Sequence, residues 1–148
     1  MKEHSKFKTE QEEFWAGDFG TQYILRNQSD TLLASNLNFY SNALRSTRDI
    51  NSCIEFGANI GMNLKALRLL YPKLNAHAIE INAFAVNHLK EVVAPSKIYN
   101  TSILLFEPNQ TYDLVLIKGV LIHISPDELT LVYDKLNETC GRYLMISE

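Results

Sequence analysis

The spacing of apolar positions changes once along the chain. In SDTLLASNLNFYSNALRS, residues 29–46, Leu33, Leu37, Tyr40 and Leu44 recur every three or four positions. That is the period of one helix face, and Ser29 or Asp30 stands where it can cap the first turn. From residue 52 the runs become short. SCIEF reads as a strand, and NLKALRLLY as a helix stopped by Pro72. NAHAIEI reads as a second strand. AFAVNHLKEVV is a helix capped by Asn82 that ends before Pro95, and KIYNTS is a third strand. YDLVLIKG is nearly all apolar, as a buried parallel strand should be. In SPDEL, Ser125, Pro126 and Glu128 have the spacing of an N-cap, a first-turn proline and a capping box. The helix they start is expected to reach Thr139, with Gly141 as its stop. RYLMIS is a fifth strand. Residues 1–28 have no clear period and read as irregular or partly helical, with an aromatic cluster of Phe14, Trp15, Phe19 and Tyr23.

Strands alternating with helices predict an α/β fold, a doubly wound parallel sheet with right-handed crossovers and helices on both faces. A length of 148 residues suits one domain. Residues 1–48 form an N-terminal helical cap segment of it and residues 49–148 a Rossmann-like core. Ligands of such sheets sit beyond the carboxyl ends of the strands, at the switch point. The turn after the first strand is therefore the first place to look for chemistry.

Composition narrows the ligand. Net charge is −3 and no Lys/Arg run exists, so nucleic acid and anionic membrane are not expected partners. A small neutral or zwitterionic molecule is. No apolar run approaches the roughly 18 residues of a membrane span. MKEHSKFKTEQEEF has no apolar h-region of a secretory signal, so the chain is read as cytoplasmic. The sequons at Asn27, Asn100, Asn109 and Asn137 are then chance matches. Cys53 and Cys140 give neither a disulfide framework nor metal spacing; no metal site is expected, and Cys53 reads as a small core residue.

The turn itself is CIEFGANIGMN, residues 53–63. Gly57 and Gly61 permit positive φ and close backbone approach, and they expose the next helix's first amides. A P-loop fails here, because FGANIGMN has neither its spacing nor its lysine. A dinucleotide fingerprint would fall on Gly57, Asn59 and Met62, with one glycine of three. Glu80 lies 19 residues beyond Gly61, near the end of the second strand. A carboxylate there can accept from both ribose hydroxyls and repels a 2′-phosphate. Glu80 thus points to an adenosine ligand, either NAD or S-adenosylmethionine.

The turn resembles motif I of the class I methyltransferases, an acid followed by G-x-G-x-G. In this chain it stands as Glu55, Gly57, Asn59 and Gly61, with asparagine for the middle glycine. Asparagine tolerates the left-handed region well enough to keep the turn. YDLVLIKGVLIHISPDEL and EFWAGDFGTQYILRN resemble the fourth-strand motif and the opening segment of a methyltransferase family associated with pseudaminic acid biosynthesis. With CIEFGANIG and AIEIN, the similarity covers nearly the whole chain.

That resemblance implies a class I methyltransferase fold and S-adenosylmethionine as cofactor. It implies a small-molecule methyl acceptor such as a sugar or sugar nucleotide in surface-glycan biosynthesis. Glu55, Gly57, Ala58, Asn59 and Gly61 would wrap the methionine and ribose parts, Glu80 would hold the ribose, and Ile81 would pack on the adenine. Ser102 and Ile103 would meet the adenine edge. Lys118 and Gly119 would line the sulfonium region. Trp15, Tyr23 and Arg26 would cover the cofactor, with Arg26 on its carboxylate; a satellite core is the other reading of the aromatic cluster. His123, just past the fourth strand, is the candidate catalytic base, with a structural turn histidine as its plainer account. His77 and His88 read as structural or solvated. Two further readings stay open: a non-catalytic binding module of the same fold, and an NAD-dependent oxidoreductase.

Class I domains add a sixth and seventh strand as an antiparallel hairpin. The resemblance and ordinary domain size therefore lead one to expect about 50 further residues beyond Glu148. Without them, the strand-five edge is apolar and open to pairing with a second copy of the chain.

Overall fold

The computed structural model of the chain describes residues 6–26 and 29–148, the Leu25 side chain excepted. Five parallel strands run β1 (Ser52–Phe56), β2 (Asn75–Ile79), β3 (Ile98–Tyr99), β4 (Tyr112–Lys118) and β5 (Cys140–Ser147). They lie in the order β3-β2-β1-β4-β5. Neighbouring β1 and β4, non-consecutive in sequence, create the switch point.

The pleat divides the core in two. Cys53, Ala76, Ala78, Leu114 and Leu116 face one side. There they meet three helices: α3 (Asp30–Ala43), α4 (Met62–Leu70) and α5 (Ala83–Leu89). Ile54, Phe56, Ile79, Val115 and Ile117 face the other side, against α6 (Leu129–Thr139) and the loop bearing Leu104 and Phe106. Alternation of side chains along each strand is enough to produce this. The expected doubly wound α/β sheet is what the chain forms.

The elements fall close to their expected places, with instructive differences. Ser29, not Asp30, caps α3, accepting from the Leu32 N–H at 3.1 Å. Residues 10–26 are more helical than their pattern suggests: α1 (Glu10–Ala16) and α2 (Asp18–Arg26). The expected third strand shrinks to two residues, because Asn100 turns its amide onto the Glu80 carbonyl at 2.8 Å. The helix after Asn82 ends at Leu89 rather than Val93.

SPDEL departs furthest. Ser125 makes no side-chain cap, and Pro126–Glu128 form a 3₁₀ turn ahead of α6. Glu128 instead meets the Lys8 ammonium at 2.8 Å. Gly141 does not stop α6, since β5 begins at Cys140. A Cβ at Gly141 would lie 3.0 Å from the Tyr112 carbonyl oxygen, beside the register shift between Tyr112 and Leu114. The residue is small because the strands approach there.

β5 is a sheet edge with Leu144 and Ile146 exposed. Among the described residues no helix is long and apolar enough to cross a membrane. The sequon asparagine Asn27 lies outside the described residues.

Candidate functional site

Beyond the carboxyl ends of β1, β2 and β4 lies a cavity of about 470 Å³, within the ~300–1,000 Å³ range of ligand pockets. The turn after β1 forms its floor. Gly57, Asn59 and Gly61 take φ of +76°, +51° and +83°. Asparagine therefore adopts the left-handed conformation that the middle position of the turn requires. A Cβ at Gly57 would stand 2.8 Å from a Val120 methyl, and one at Gly61 2.7 Å from a Leu89 methyl. Both close approaches bring the chain tightly round the cavity.

Glu80 lies one residue past β2 and is buried at the wall. Its carboxylate accepts from the Asn59 N–H at 2.7 Å and the Asn82 N–H at 2.8 Å. The acid thus ties the glycine turn to the start of α5. A carboxylate has about four acceptor positions, so capacity remains for a ligand hydroxyl. Burial raises its carboxyl above the usual range, against the opposing pull of the Asn82, Asn59 and Ile81 amides.

Glu55 sits deeper, fully buried under the turn, and one oxygen accepts from the Asn63 amide at 2.6 Å. Burial pushes its carboxyl up to about 8; the Asn63 bond and the Lys118 charge oppose this and the Glu80 charge adds to it. Its Oε2, and the Oδ1 of Asn59 on the cavity wall, are buried without a hydrogen-bond partner. Such atoms mark a place where a polar ligand group or water is wanted.

The roof is the N-terminal segment. Trp15 stands 5.4 Å from Tyr23 and 4.6 Å from the His123 imidazole, ring centre to ring centre, and all three line the cavity. Phe14 stacks on Phe19 at 4.1 Å on the outside, with Phe14 half exposed. The cluster roofs the cavity and leaves Phe14 and Phe19 on an open outer face.

Of the sequence candidates, the cavity wall brings together Trp15, Tyr23, Gly57, Ala58, Asn59, Glu80, Ile81, Ser102, Ile103, Lys118, Gly119 and His123. Glu55 and Gly61 lie just behind it. Arg26 does not join them. It is exposed at the end of α2, and among the described residues Lys118 is the lysine or arginine on the wall.

Glu12, Asn82 and Glu148 also stand on the wall. Glu12 is buried and accepts from the Ser102 hydroxyl. It also closes a capping box with Thr9, whose T-x-x-E spacing was there to be read. Asn82, besides capping α5, donates to the Trp15 carbonyl at 3.1 Å. Glu148 accepts from the N–H groups of Val120, Leu121 and Ile122. Neither of these last two contacts has a local sequence signal. His77 packs against Tyr112 at 4.9 Å inside the core, and His88 against Phe84 at 5.0 Å on α5.

No family model matches the sequence, and no curated protein matches it. Solved structures do. The plantazolicin methyltransferase BpumL, solved with S-adenosylhomocysteine, matches with a TM-score of 0.70 at 18% identity, over 92% of this chain and 55% of that one. A SAM-dependent methyltransferase from Leishmania major matches with a TM-score of 0.70 at 18% identity, over 92% and 58%. DhpI, solved as a SAM–HEP complex, matches with 0.68 at 13% identity, over 97% and 67%. The fold is that of the class I methyltransferases. This chain spans little more than half the length of BpumL.

Proposed function

We propose that the chain is an S-adenosylmethionine-dependent methyltransferase domain acting on a small molecule, residues 1–48 capping a cofactor-binding core of residues 49–148. The observation that carries this reading is Glu80. Its buried carboxylate lies at the end of β2 beside a left-handed Gly57–Asn59–Gly61 turn, on the wall of a ligand-sized cavity. The neighbours of the same fold include BpumL with S-adenosylhomocysteine and DhpI with SAM.

The residues present suit that cofactor. Glu80 would accept the ribose hydroxyls and Ile81 would pack on the adenine. Ser102 already donates to Glu12 and accepts from the Leu104 N–H at 3.0 Å. The buried Glu12 carboxylate therefore takes over as acceptor for the adenine amine, from the roof rather than from the core. Lys118 replaces Arg26 as partner of the methionine carboxylate. The unpartnered Asn59 oxygen on the wall suits its ammonium.

When bound, the cofactor supplies the electrophilic methyl, so the protein's work is to orient the acceptor and exclude water. Trp15 and Tyr23 close the roof over the reacting region. His123 faces it and can take the acceptor proton where one must leave. The finer identity of the acceptor, a sugar or sugar nucleotide of surface-glycan biosynthesis, rests on the family-like runs at residues 13–27 and 112–129. A module that binds the cofactor without turnover would have the same wall.

Calorimetric titration with S-adenosylhomocysteine, with NAD and ATP as controls, tests the proposal. Selective binding that weakens at least tenfold in Glu80→Ala is expected, the scale of a lost charged hydrogen bond. A preference for NAD, or no binding by the folded chain, refutes it.

A further inference from the structure

We propose that Glu148 is a positioning residue that holds the His123 imidazole against Trp15. The proposal rests on the reading of His123 as the group that meets the acceptor.

His123 ends a three-residue 3₁₀ turn, Leu121–His123, immediately after β4. Such a turn leaves its first amides without internal partners, and its N-cap Val120 supplies no side-chain cap. Glu148 satisfies them from the neighbouring strand. Its Oε1 accepts from the Val120 N–H at 3.2 Å and the Leu121 N–H at 3.1 Å, and its Oε2 accepts from the Ile122 N–H at 3.2 Å. One carboxylate thereby fixes three successive amides.

The anchor behind it is rigid. Lys118 pairs with Ser147 in the sheet, and the Gly119 N–H donates to the Ser147 carbonyl at 2.7 Å. Glu148 is the next residue after that pair, and its position is set by the β4–β5 ladder. The turn then closes through the His123 N–H, which donates to the Val120 carbonyl at 2.9 Å. What orients the imidazole is this backbone together with the ring contact to Trp15 at 4.6 Å. An anionic acceptor of three amides is a stronger fixture than any neutral cap in the same place.

Trp15 is the sole tryptophan of the chain, which makes the arrangement directly readable. An imidazolium quenches a neighbouring indole more than a neutral imidazole does. The emission of the free chain should therefore show a pH-dependent step that belongs to this contact, higher on the alkaline side. Other titratable groups share the cavity: Glu12, Glu80, Tyr23, Lys118 and Glu148 itself. The His123→Gln variant, in which the step must vanish, separates their contribution.

In Glu148→Ala the three amides lose their acceptor. The step should fall to less than half its amplitude while far-ultraviolet circular dichroism stays that of the folded chain. Glu148→Gln, with one accepting oxygen and an amide NH2 that cannot accept, should lose part of it; this variant decides the matter where Glu148→Ala does not fold. A loss of fold stability alone would not remove a step specific to His123. Full retention of the step in both variants overturns the proposal. The measurement uses the chain without ligand. Failure to bind S-adenosylhomocysteine would refute the methyltransferase reading and leave the Glu148 geometry to stand or fall by the fluorescence.

Discussion

The Asn82 side chain works at both of its ends. Its oxygen accepts from the Phe84 and Ala85 N–H groups at 3.0 and 3.1 Å, starting α5, while its nitrogen donates to the Trp15 carbonyl at 3.1 Å. The same nitrogen lies 3.4 Å from the Ala16 and Gly17 carbonyls and 3.3 Å from the Thr21 hydroxyl. A single residue thus couples the floor of the cavity to its roof. The fit is close: a Cβ on Gly20 would meet the Trp15 carbonyl at 2.0 Å and the Asn82 nitrogen at 3.0 Å.

Asn82→Asp separates the two roles. Aspartate caps a helix as well as asparagine, so α5 should survive. The donor to the roof is lost, and a carboxylate oxygen then faces backbone carbonyls. Unfolding in urea should show a loss of about 1–3 kcal/mol, and Trp15 emission should shift to the red as the roof lifts. Asn82→Ala should lose a further ~1 kcal/mol with the cap. An unchanged emission maximum in Asn82→Asp would mean that the roof is held by something else.

The turn after β1 predicts a graded series. Gly61→Ala places a Cβ 2.7 Å from a Leu89 methyl at φ +83°. Left-handed backbone costs ~1–2 kcal/mol for an L-residue and overpacking ~1–3 kcal/mol, so a loss of at least about 2 kcal/mol is expected. Gly119→Ala has a similar φ, +63°, and open space around its Cβ. It should cost only the backbone part, ~1–2 kcal/mol. Urea midpoints of the two variants, compared with the parent chain, measure the difference. Equal losses would show that the Leu89 contact relaxes freely.

Local signals and long-range contacts were not equally legible in the sequence. β1 falls on SCIEF because strand periodicity, an apolar run and a glycine turn all agree there. Asn82 was readable as a cap for the same reason: its partners are two and three residues away. SPDEL misled because the capping-box pattern was complete, yet Glu128 found a partner 120 residues distant in Lys8. Ion pairs of that separation leave no spacing to read. The cavity floor, which is built from strand ends, was legible almost entirely. The roof was less so, since Glu12 reaches Ser102 across 90 residues of sequence. The switch point between β1 and β4 puts the cavity beside the glycine turn, where the strand pattern led one to look.

The Glu12–Ser102 contact should be visible as coupling. Ser102 donates its hydroxyl proton to the Glu12 carboxylate, whose other oxygen accepts from the Thr9 N–H at 2.9 Å. Ser102→Ala and Glu12→Gln should each destabilise the fold, and the double variant should lose less than the sum. An interaction energy of about 1 kcal/mol or more is expected for a buried pair in contact. A strictly additive cycle would show that the roof does not lean on Ser102.

Glu55 gives the chain a pH dependence whose sign can be worked out. Burial pushes its carboxyl up to about 8, with the Asn63 amide and Lys118 opposing and Glu80 adding. In the unfolded chain the same group titrates near ~4.3. Between these values the folded state holds a proton that the unfolded state has released, so stability falls as pH rises. Full stability from this group is present below the unfolded value, and the loss is complete above about 8. The raised Glu80 carboxyl acts in the same direction. His77, whose imidazole is lowered by burial and by Lys97, has the opposite slope, and it acts below ~6.5. From about pH 6.5 to 8.5 Glu55 therefore dominates, and the unfolding free energy should drop by about 2 kcal/mol. Glu55→Gln keeps the shape and the contact with Asn63 but carries no titrating proton. Its urea midpoint should change by less than half as much over that range. An equal drop in the variant would place the titration on another group, with Glu80 first to be tested by the same substitution.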